Sequence, residues 1–359
     1  MDDALSAGAV DAEEWDRFLE TLPDADHQQA SSWSDLKATR GWGVARFGVW
    51  RGGVLVAGMQ MLHRTVLHLW RLGYVPRGPV FSVDDARVSV CLLQSLEALL
   101  STLRVRYLVL QPARSAESFA AHLRSRGFRE TPVQVAPTST VRIDLSQSEQ
   151  ELLAAMRPSA RRGIGTGEKS GLRVRQGGAS DLPAFHALLD GTARRRGFTA
   201  PSIQYLQAMW AAFSGECEIV LFLVELGEEL VAAELDIAFG DTLVSKRAGW
   251  SGRHKALHPN ELVIWSAMRW AKARGMRWYD LDGLHPELAA ALVQGKPPPP
   301  ALQQSHHGFK AGFGGEITIL PCAYELVRMP VLGWLHREAW CRWLSLEQRR
   351  WLLQRIGVA

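Results

Sequence analysis

The signals for secondary structure run through the same series twice along this chain, and that duplication limits the fold more than any single motif does. In the first half, Asp11 followed by Glu14 has the form of a capping box opening a helix whose apolar face is Trp15, Phe18, Leu19 and Leu22. A short helix follows around residues 33–40. Residues 44–50 and 54–61 alternate as strands about Arg51-Gly52-Gly53, the composition of a tight hairpin turn. A third strand (66–72), a long helix (about 84–103), a buried strand (107–110), a helix (about 116–126), the pair Gly127-Phe128 and a strand (140–145) complete the series.

The second half repeats it. Helices near 181–195 and 202–213 precede a hairpin of 218–225 with 230–238 turned at Gly227. A strand (243–248), a long helix (about 261–274), a strand (278–281), a helix near 303–310, Gly312-Phe313 and a strand (317–320) follow. The repeat is one of pattern and not of residues. Strand hairpins followed by strands alternating with helices imply an α/β fold with a mixed sheet in each half. The expected division is residues 1–147, 148–330, and a basic C-terminal segment, 331–359. Two such sheets would leave a cleft suited to a large substrate.

With 359 residues, 47% of them hydrophobic, the chain can bury about two cores. It lacks an apolar run long enough for a membrane-spanning helix. Its acidic opening, MDDALSAGAVDAEEW, is unlike a signal peptide, so the expected location is cytoplasmic. Cys91, Cys217, Cys322 and Cys341 are scattered, which speaks against structural zinc and thiol chemistry.

Several motifs fail on inspection. Gly163-Ile164-Gly165-Thr166-Gly167-Glu168-Lys169-Ser170 has Glu168 where a phosphate loop needs glycine, and no strand precedes it, so it reads as a solvated helix end. His285 and His306-His307 lack the spacing that puts two metal ligands on one helix face, and no metal is expected. No nucleophile elbow is present. Two segments are more informative. Arg194-Arg195-Arg196 closes a helix, where cations suit the helix dipole and where arginine can also grip phosphates. Gly308-Phe309-Lys310-Ala311-Gly312-Phe313-Gly314-Gly315 combines glycines that admit close backbone approach with two aromatics and a lysine.

Taken together, Gln29-Ala30-Ser31-Ser32-Trp33 with Lys37, Tyr74-Val75-Pro76-Arg77-Gly78-Pro79, Thr192 to Phe198, Trp278-Tyr279-Asp280-Leu281 and Gly308 to Gly314 resemble, in order, the motifs of the Fem family of aminoacyl-tRNA-dependent aminoacyltransferases. The resemblance implies two tandem GCN5-related N-acetyltransferase (GNAT) domains, here without the coiled-coil arm that some members insert. It implies that Lys37 and Arg195 hold the diphosphate of a nucleotide-linked or lipid-linked precursor, with Arg194 and Arg196 left open for the same role. It makes Trp33, Arg77 and Trp250 further substrate-binding candidates, although Ala248-Gly249-Trp250-Ser251 departs from a region where members often place acceptor-contacting tyrosines. Phe309 and Lys310 fall where the family has a catalytic Phe-Lys pair.

The implied reaction moves an amino acid from aminoacyl-tRNA, a co-substrate, to an amine of a peptidoglycan precursor, with no cofactor. The ester is already activated, so the acceptor needs positioning, loss of a proton and oxyanion stabilisation, the last of which a lysine ammonium such as Lys310 supplies. Asp280 and Asp282 stand as general-base candidates against a reading as capping carboxylates. A tRNA partner fits Arg157, Arg161, Arg162, Arg173 and Arg175. Residues 331–359, with Trp334, Trp340, Trp343 and Trp351, read as helices packing on the second domain, or as a contact for tRNA or for the inner face of the membrane. The alternatives are the same chemistry on an acceptor in antibiotic biosynthesis or resistance, and an acyl-CoA-dependent N-acyltransferase.

Overall fold

Strand β1 (Leu5–Ala9) opens the chain and was not expected, because its small and mostly exposed side chains carry no alternation. It is an edge strand pairing antiparallel with β2. The computed structural model describes residues 4–23, 25–66, 70–116, 118–131, 136–214 and 218–328. It divides into two units, residues 1–138 with 320–359, and residues 139–319. The C-terminal segment 331–359 lies outside the described residues. Among those described, no helix is long and apolar enough to cross a membrane.

In the first unit, Asp11 caps α1 (Ala12–Glu20) by accepting the Glu14 N–H at 2.8 Å. The expected capping box is only half made, since the Glu14 carboxylate instead accepts from the Trp50 indole at 3.0 Å. Then come α2 (Ser31–Ala38), β2 (Gly43–Arg51), β3 (Val54–Val66), β4 (Trp70–Val75), β5 (Val80–Phe81), α3 (Ala86–Thr102), β6 (Val105–Leu110), α4 (Phe119–Ser125) and β7 (Arg129–Glu130). The β2–β3 hairpin closes with Arg51 opposite Val54, and both turn residues, Gly52 and Gly53, have positive φ (56° and 83°), a conformation that glycine adopts without a Cβ penalty. Helix α3 buries Val88, Leu92, Leu96 and Leu100, one per turn, and provides the crossover that lets β6 lie parallel to β4.

The second unit holds β8 (Ser139–Asp144), α5 (Glu149–Ala155), α6 (Pro158–Lys169), β9 (Arg173–Gly177), α7 (Leu182–Arg196), α8 (Ile203–Phe213), β10 (Glu218–Leu226), β11 (Glu229–Phe239), β12 (Thr242–Trp250), α9 (Pro259–Ala273), β13 (Trp278–Asp280), α10 (Pro286–Val293), α11 (Pro300–Gln303), α12 (His306–Ala311) and β14 (Glu316–Ile319). Pro158 breaks the 149–168 stretch as its chemistry requires and becomes the first residue of α6. The glycine-rich segment is neither a phosphate loop nor a solvated end. Gly163 and Gly167 lie on the face of α6 toward α9, where an added Cβ would stand 2.9 Å from His258 Nδ1 and 3.1 Å from Leu262 Cβ, so the glycines let the two helices close.

The sheets show the duplication and one departure from it. The first has the order β1-β2-β3-β4-β6-β15-β7, and the second β14-β8-β13-β12-β11-β10-β9. Among the described residues each contains one parallel pair, β4–β6 and β12–β13. Strand β8 follows the first half in sequence yet pairs with β13 and β14, whereas β15 (Tyr324–Val327) follows the second half and pairs with β6 and β7. Each half thus gives one strand to the other's sheet. The expected boundaries at 147 and 330 move to 138 and 319, and the strand directly after Gly127-Phe128 is the two-residue β7.

Candidate active site

Strand β13 brings its carboxyl end beside β12, and the chain then leaves the sheet through Leu281-Asp282-Gly283. Open α/β sheets place ligands at such strand ends. Asp282 has φ 41°, a left-handed conformation that costs a non-glycine residue on the order of 1 kcal/mol. Its N–H donates to Asp280 Oδ1 at 2.8 Å, and the Thr140 hydroxyl donates to the same oxygen. Asp280 therefore acts as the capping carboxylate of this turn. The Asp282 side chain is held by Lys246 of β12 at 2.9 Å, an ion pair in which Lys246 is only 7% exposed.

The turn ends at Lys310. From α12, its ammonium donates to the backbone carbonyl of Asp282 and, at 3.3 Å, to that of Gly283. Burial lowers the Lys310 pKa, and Asp282, Glu234 and Asp280 oppose that shift while Lys246 adds to it. Phe309 is half-buried and meets the ring of Phe313 edge-on at 5.2 Å; Phe313 itself is a core residue. Arg157 braces the segment, donating its N–H to Gly312 O (2.9 Å) and a guanidinium N–H to Gly308 O (3.1 Å). That arginine is thus engaged in supporting α12. Arg175, likewise expected to face RNA, is engaged by Asp181 and Glu225, both at 2.8 Å. Arg161, Arg162 and Arg173 are exposed.

Sequence reasoning missed a polar layer under this turn. Glu234 and Asp236 of β11 are 1% and 0% exposed, and their spacing of two puts both on one face of the sheet. The Tyr279 hydroxyl lies 3.2 Å from Glu234 Oε1 and 3.5 Å from Asp236 Oδ2, and Ser245 donates to Glu234 Oε1. Burial pushes both carboxyls up, Asp236 further because Glu234 is beside it. The signal was available: Glu-Leu-Asp interrupts an otherwise apolar strand at alternate positions. His285, His306 and His307 also gather here, with ring centroids 5.7 Å (His285–His307) and 3.8 Å (His306–His307) apart. Burial, followed by the charges of His307, Lys310, Arg196 and His285, pushes His306 down to about 4. Among the described residues, no group of His, Cys, Asp or Glu could hold a metal ion.

The arginine run at the end of α7 separates into three environments. Arg195 donates to the Trp250 carbonyl and, at 3.2 Å, to Thr192 Oγ1, with its guanidinium 5.9 Å from the Trp250 ring. Thr192 stitches the same corner by accepting the Trp250 N–H at 2.8 Å. Arg194 pairs with Asp190 at 3.1 Å in solvent, and the charge of Arg196 reaches His306. Arg195 and Trp250 thus form one surface, which sequence alone did not join.

In the first unit, Trp33 and Lys37 sit one turn apart on α2 and are 6% and 5% exposed, with Lys37 Nζ 4.8 Å from the indole centroid. His27 meets Trp33 edge-on at 5.7 Å and pairs with Asp26, which lies 3.7 Å from Arg77. Arg77 also donates to Pro137 O at 2.7 Å. Gln29 joins two of the motifs, since its side chain donates to Pro76 O and would block any Cβ on Gly78. The Trp33 indole N–H and Arg77 Nη1 are buried without a partner among the described residues. The structure therefore brings together Trp33, Lys37 and Arg77 in one unit, and within the other it forms the Arg195–Trp250 and Phe309–Lys310 groups.

Comparison with known proteins follows the same division. The FemAB family matches residues 10–131 and the acetyltransferase (GNAT) domain matches residues 154–287. A lipid II:glycine glycyltransferase of Staphylococcus aureus (strain USA300) is 24% identical over 254 residues, which cover 68% of this chain and 60% of that protein. The chain thus spans about 60% of the length of the curated relatives it matches. The crystal structure of FemX superposes with a TM-score of 0.79 at 18% identity, covering 92% of this chain and 99% of that one. A tandem GNAT protein from the clavulanic acid biosynthesis pathway superposes at 0.54 with 11% identity, over 91% and 99% of the two chains.

Proposed function

Because this chain has the tandem GNAT fold of the Fem family, we propose that it transfers an amino acid from aminoacyl-tRNA to an amine of a peptidoglycan precursor peptide. In this reading the neutral acceptor amine attacks the ester carbonyl, a C–N bond forms, and the C–O bond to the tRNA ribose breaks. One proton leaves the nitrogen and one reaches the departing ribose oxygen. The observation that carries the reading is the state of Lys310. An ammonium has three hydrogens, and two are taken by the carbonyls of Asp282 and Gly283. The third is available to the oxyanion and then to the leaving oxygen, a role in which one oriented donor is worth roughly 10²–10³ in rate.

The other residues divide by chemistry. Phe309 packs on Phe313 and the core of the second unit and so anchors the helix that carries Lys310. Either the Lys37, Trp33 and Arg77 group or the Arg195 and Trp250 group would supply a cation and an aromatic face to a phosphate-bearing acceptor. The glycyltransferase relative, whose name specifies lipid II as its substrate, supports that class of acceptor. Charged tRNA places the reaction in the cytoplasm, and a lipid-linked acceptor would bring it to the inner face of the membrane. No cofactor is needed, since the ester carries the activation.

The GNAT match favours one competing reading, transfer from an acyl-CoA. Against it, residues 251–258, which lead from β12 to α9, read Ser-Gly-Arg-His-Lys-Ala-Leu-His and lack the glycine-rich loop suited to a pyrophosphate. The test offers the purified protein a mixture of charged tRNAs or acetyl-CoA, with a UDP-linked muramyl pentapeptide, and follows labelled amide. RNase-sensitive product that is lost in Lys310→Met is expected. Product from CoA donors alone, or full turnover by folded Lys310→Met, would overturn the reading. Product with a small amine in place of the pentapeptide would redirect it to antibiotic chemistry.

A further inference from the structure

The Lys246–Asp282 ion pair lies off the proposed reaction path, yet its geometry converges on the reactive lysine. Lys310 donates to the carbonyls of Asp282 and Gly283, so where those carbonyls point determines where the third ammonium hydrogen points. Both residues have positive φ, 41° and 71°, and it is this left-handed pair that sets the direction of the two carbonyls. Gly283 adopts that conformation freely, whereas Asp282 does so against its side chain. Among the contacts that hold it there are its N–H on Asp280 Oδ1 (2.8 Å) and its carboxylate on Lys246 (2.9 Å). Lys246 is 7% and Asp282 22% exposed, so the pair is partly shielded from water and from salt. A surface pair could not define a geometry in this way.

We infer that Asp282 and Lys246 are positioning residues for Lys310: their ion pair locks the turn after β13 so that its two carbonyls orient the ammonium toward the reacting ester. The inference rests on the proposed role of Lys310. Neither residue touches substrate in it. Asp282 acts through its backbone carbonyl and Lys246 through Asp282, while their charges act on the ammonium in opposite directions and largely offset each other. The same device bears on charge, because carbonyls aimed at Nζ stabilise the ammonium form against the burial that lowers its pKa.

The test compares Asp282→Asn, which keeps a residue tolerant of the left-handed region, with Lys246→Met and with the double variant, in which no unpaired charge is left buried. Turnover should fall about 10- to 100-fold in each, as expected for a misplaced catalytic group, while KM for both substrates changes less than about 2-fold. The double variant should be no slower than the slower single one, since both break the same lock. A second readout needs no turnover: acetic anhydride labelling of Lys310, followed by mass spectrometry, should be faster in the double variant, in which the opposing charges of Asp282 and Lys246 are both gone. Wild-type turnover in the folded double variant, or unchanged Lys310 labelling in it, would overturn the inference. Lys310→Met run alongside separates the two claims. Full turnover there refutes the role of Lys310 itself, whereas loss there with wild-type rates in Asp282→Asn refutes the lock alone.

Discussion

Asp236→Asn should make the protein's stability less dependent on pH, in a direction the burial of this residue fixes. Asp236 is 0% exposed on β11, and both burial and the neighbouring Glu234 raise its pKa well above the ordinary 3.8. In the folded state it therefore keeps a proton that the unfolded chain has released. The native state binds more protons in the window between the unfolded and folded pKa values, so stability falls as pH rises through that window. The contribution is complete below about pH 4 and is lost upward. One fully retained proton corresponds to a slope of about 1.4 kcal/mol per pH unit. For a unit of this size, residues 139–319, that is roughly 3–6 °C in Tm per pH unit as an upper bound. An asparagine has nothing to release, so its slope should be smaller by up to that amount, and the variant should gain on the wild type as pH increases. Thermal melts followed by circular dichroism at half-unit steps from pH 4.5 to 8 measure the difference between the two slopes. Parallel curves, or a variant that loses ground with rising pH, would show that Asp236 is ionised in the native state and that the reasoning from burial is wrong.

Three other outcomes follow from the same structure. Gly163→Ala should destabilise the fold by about 1–3 kcal/mol, because its Cβ would crowd His258 and Glu261, whereas Gly165→Ala, with nothing within 4 Å, should stabilise it by about 0.5–1 kcal/mol; urea melts decide, and equal effects refute the α6–α9 contact. Lys37→Met should weaken binding of the UDP-linked pentapeptide roughly 10- to 100-fold by calorimetry, the worth of one charge-assisted hydrogen bond, and unchanged affinity would remove Lys37 from the acceptor site. The His306 imidazole should titrate near 4 by NMR, and Arg196→Gln should raise that midpoint; a midpoint near 6.5 in the wild type would mean that neither partial burial nor the neighbouring charges act on this ring.

What the amino-acid order determined by itself was local. The hairpin turn at Gly52-Gly53, the capping carboxylate of Asp11, the stop at Pro158 and the once-per-turn leucines of α3 depend on residues within four positions of one another, and the pattern that encodes them is the pattern that was read. The motif residues Lys37, Arg195 and Lys310 were visible too, as residue types in a recognisable order. Tertiary structure decided the rest. A strand's backbone hydrogen bonds are the same for every sequence, so nothing local told β8 to join β13 and β14, or β15 to join β6 and β7. Side-chain identity likewise could not show that Arg157 and Arg175 are engaged by the protein itself. Nor could it show that Asp282 turns its carbonyl, rather than its carboxylate, toward Lys310. Charge is a property of a residue, but the partner of a charge is set by strands and helices distant in sequence, and only folding brings those together.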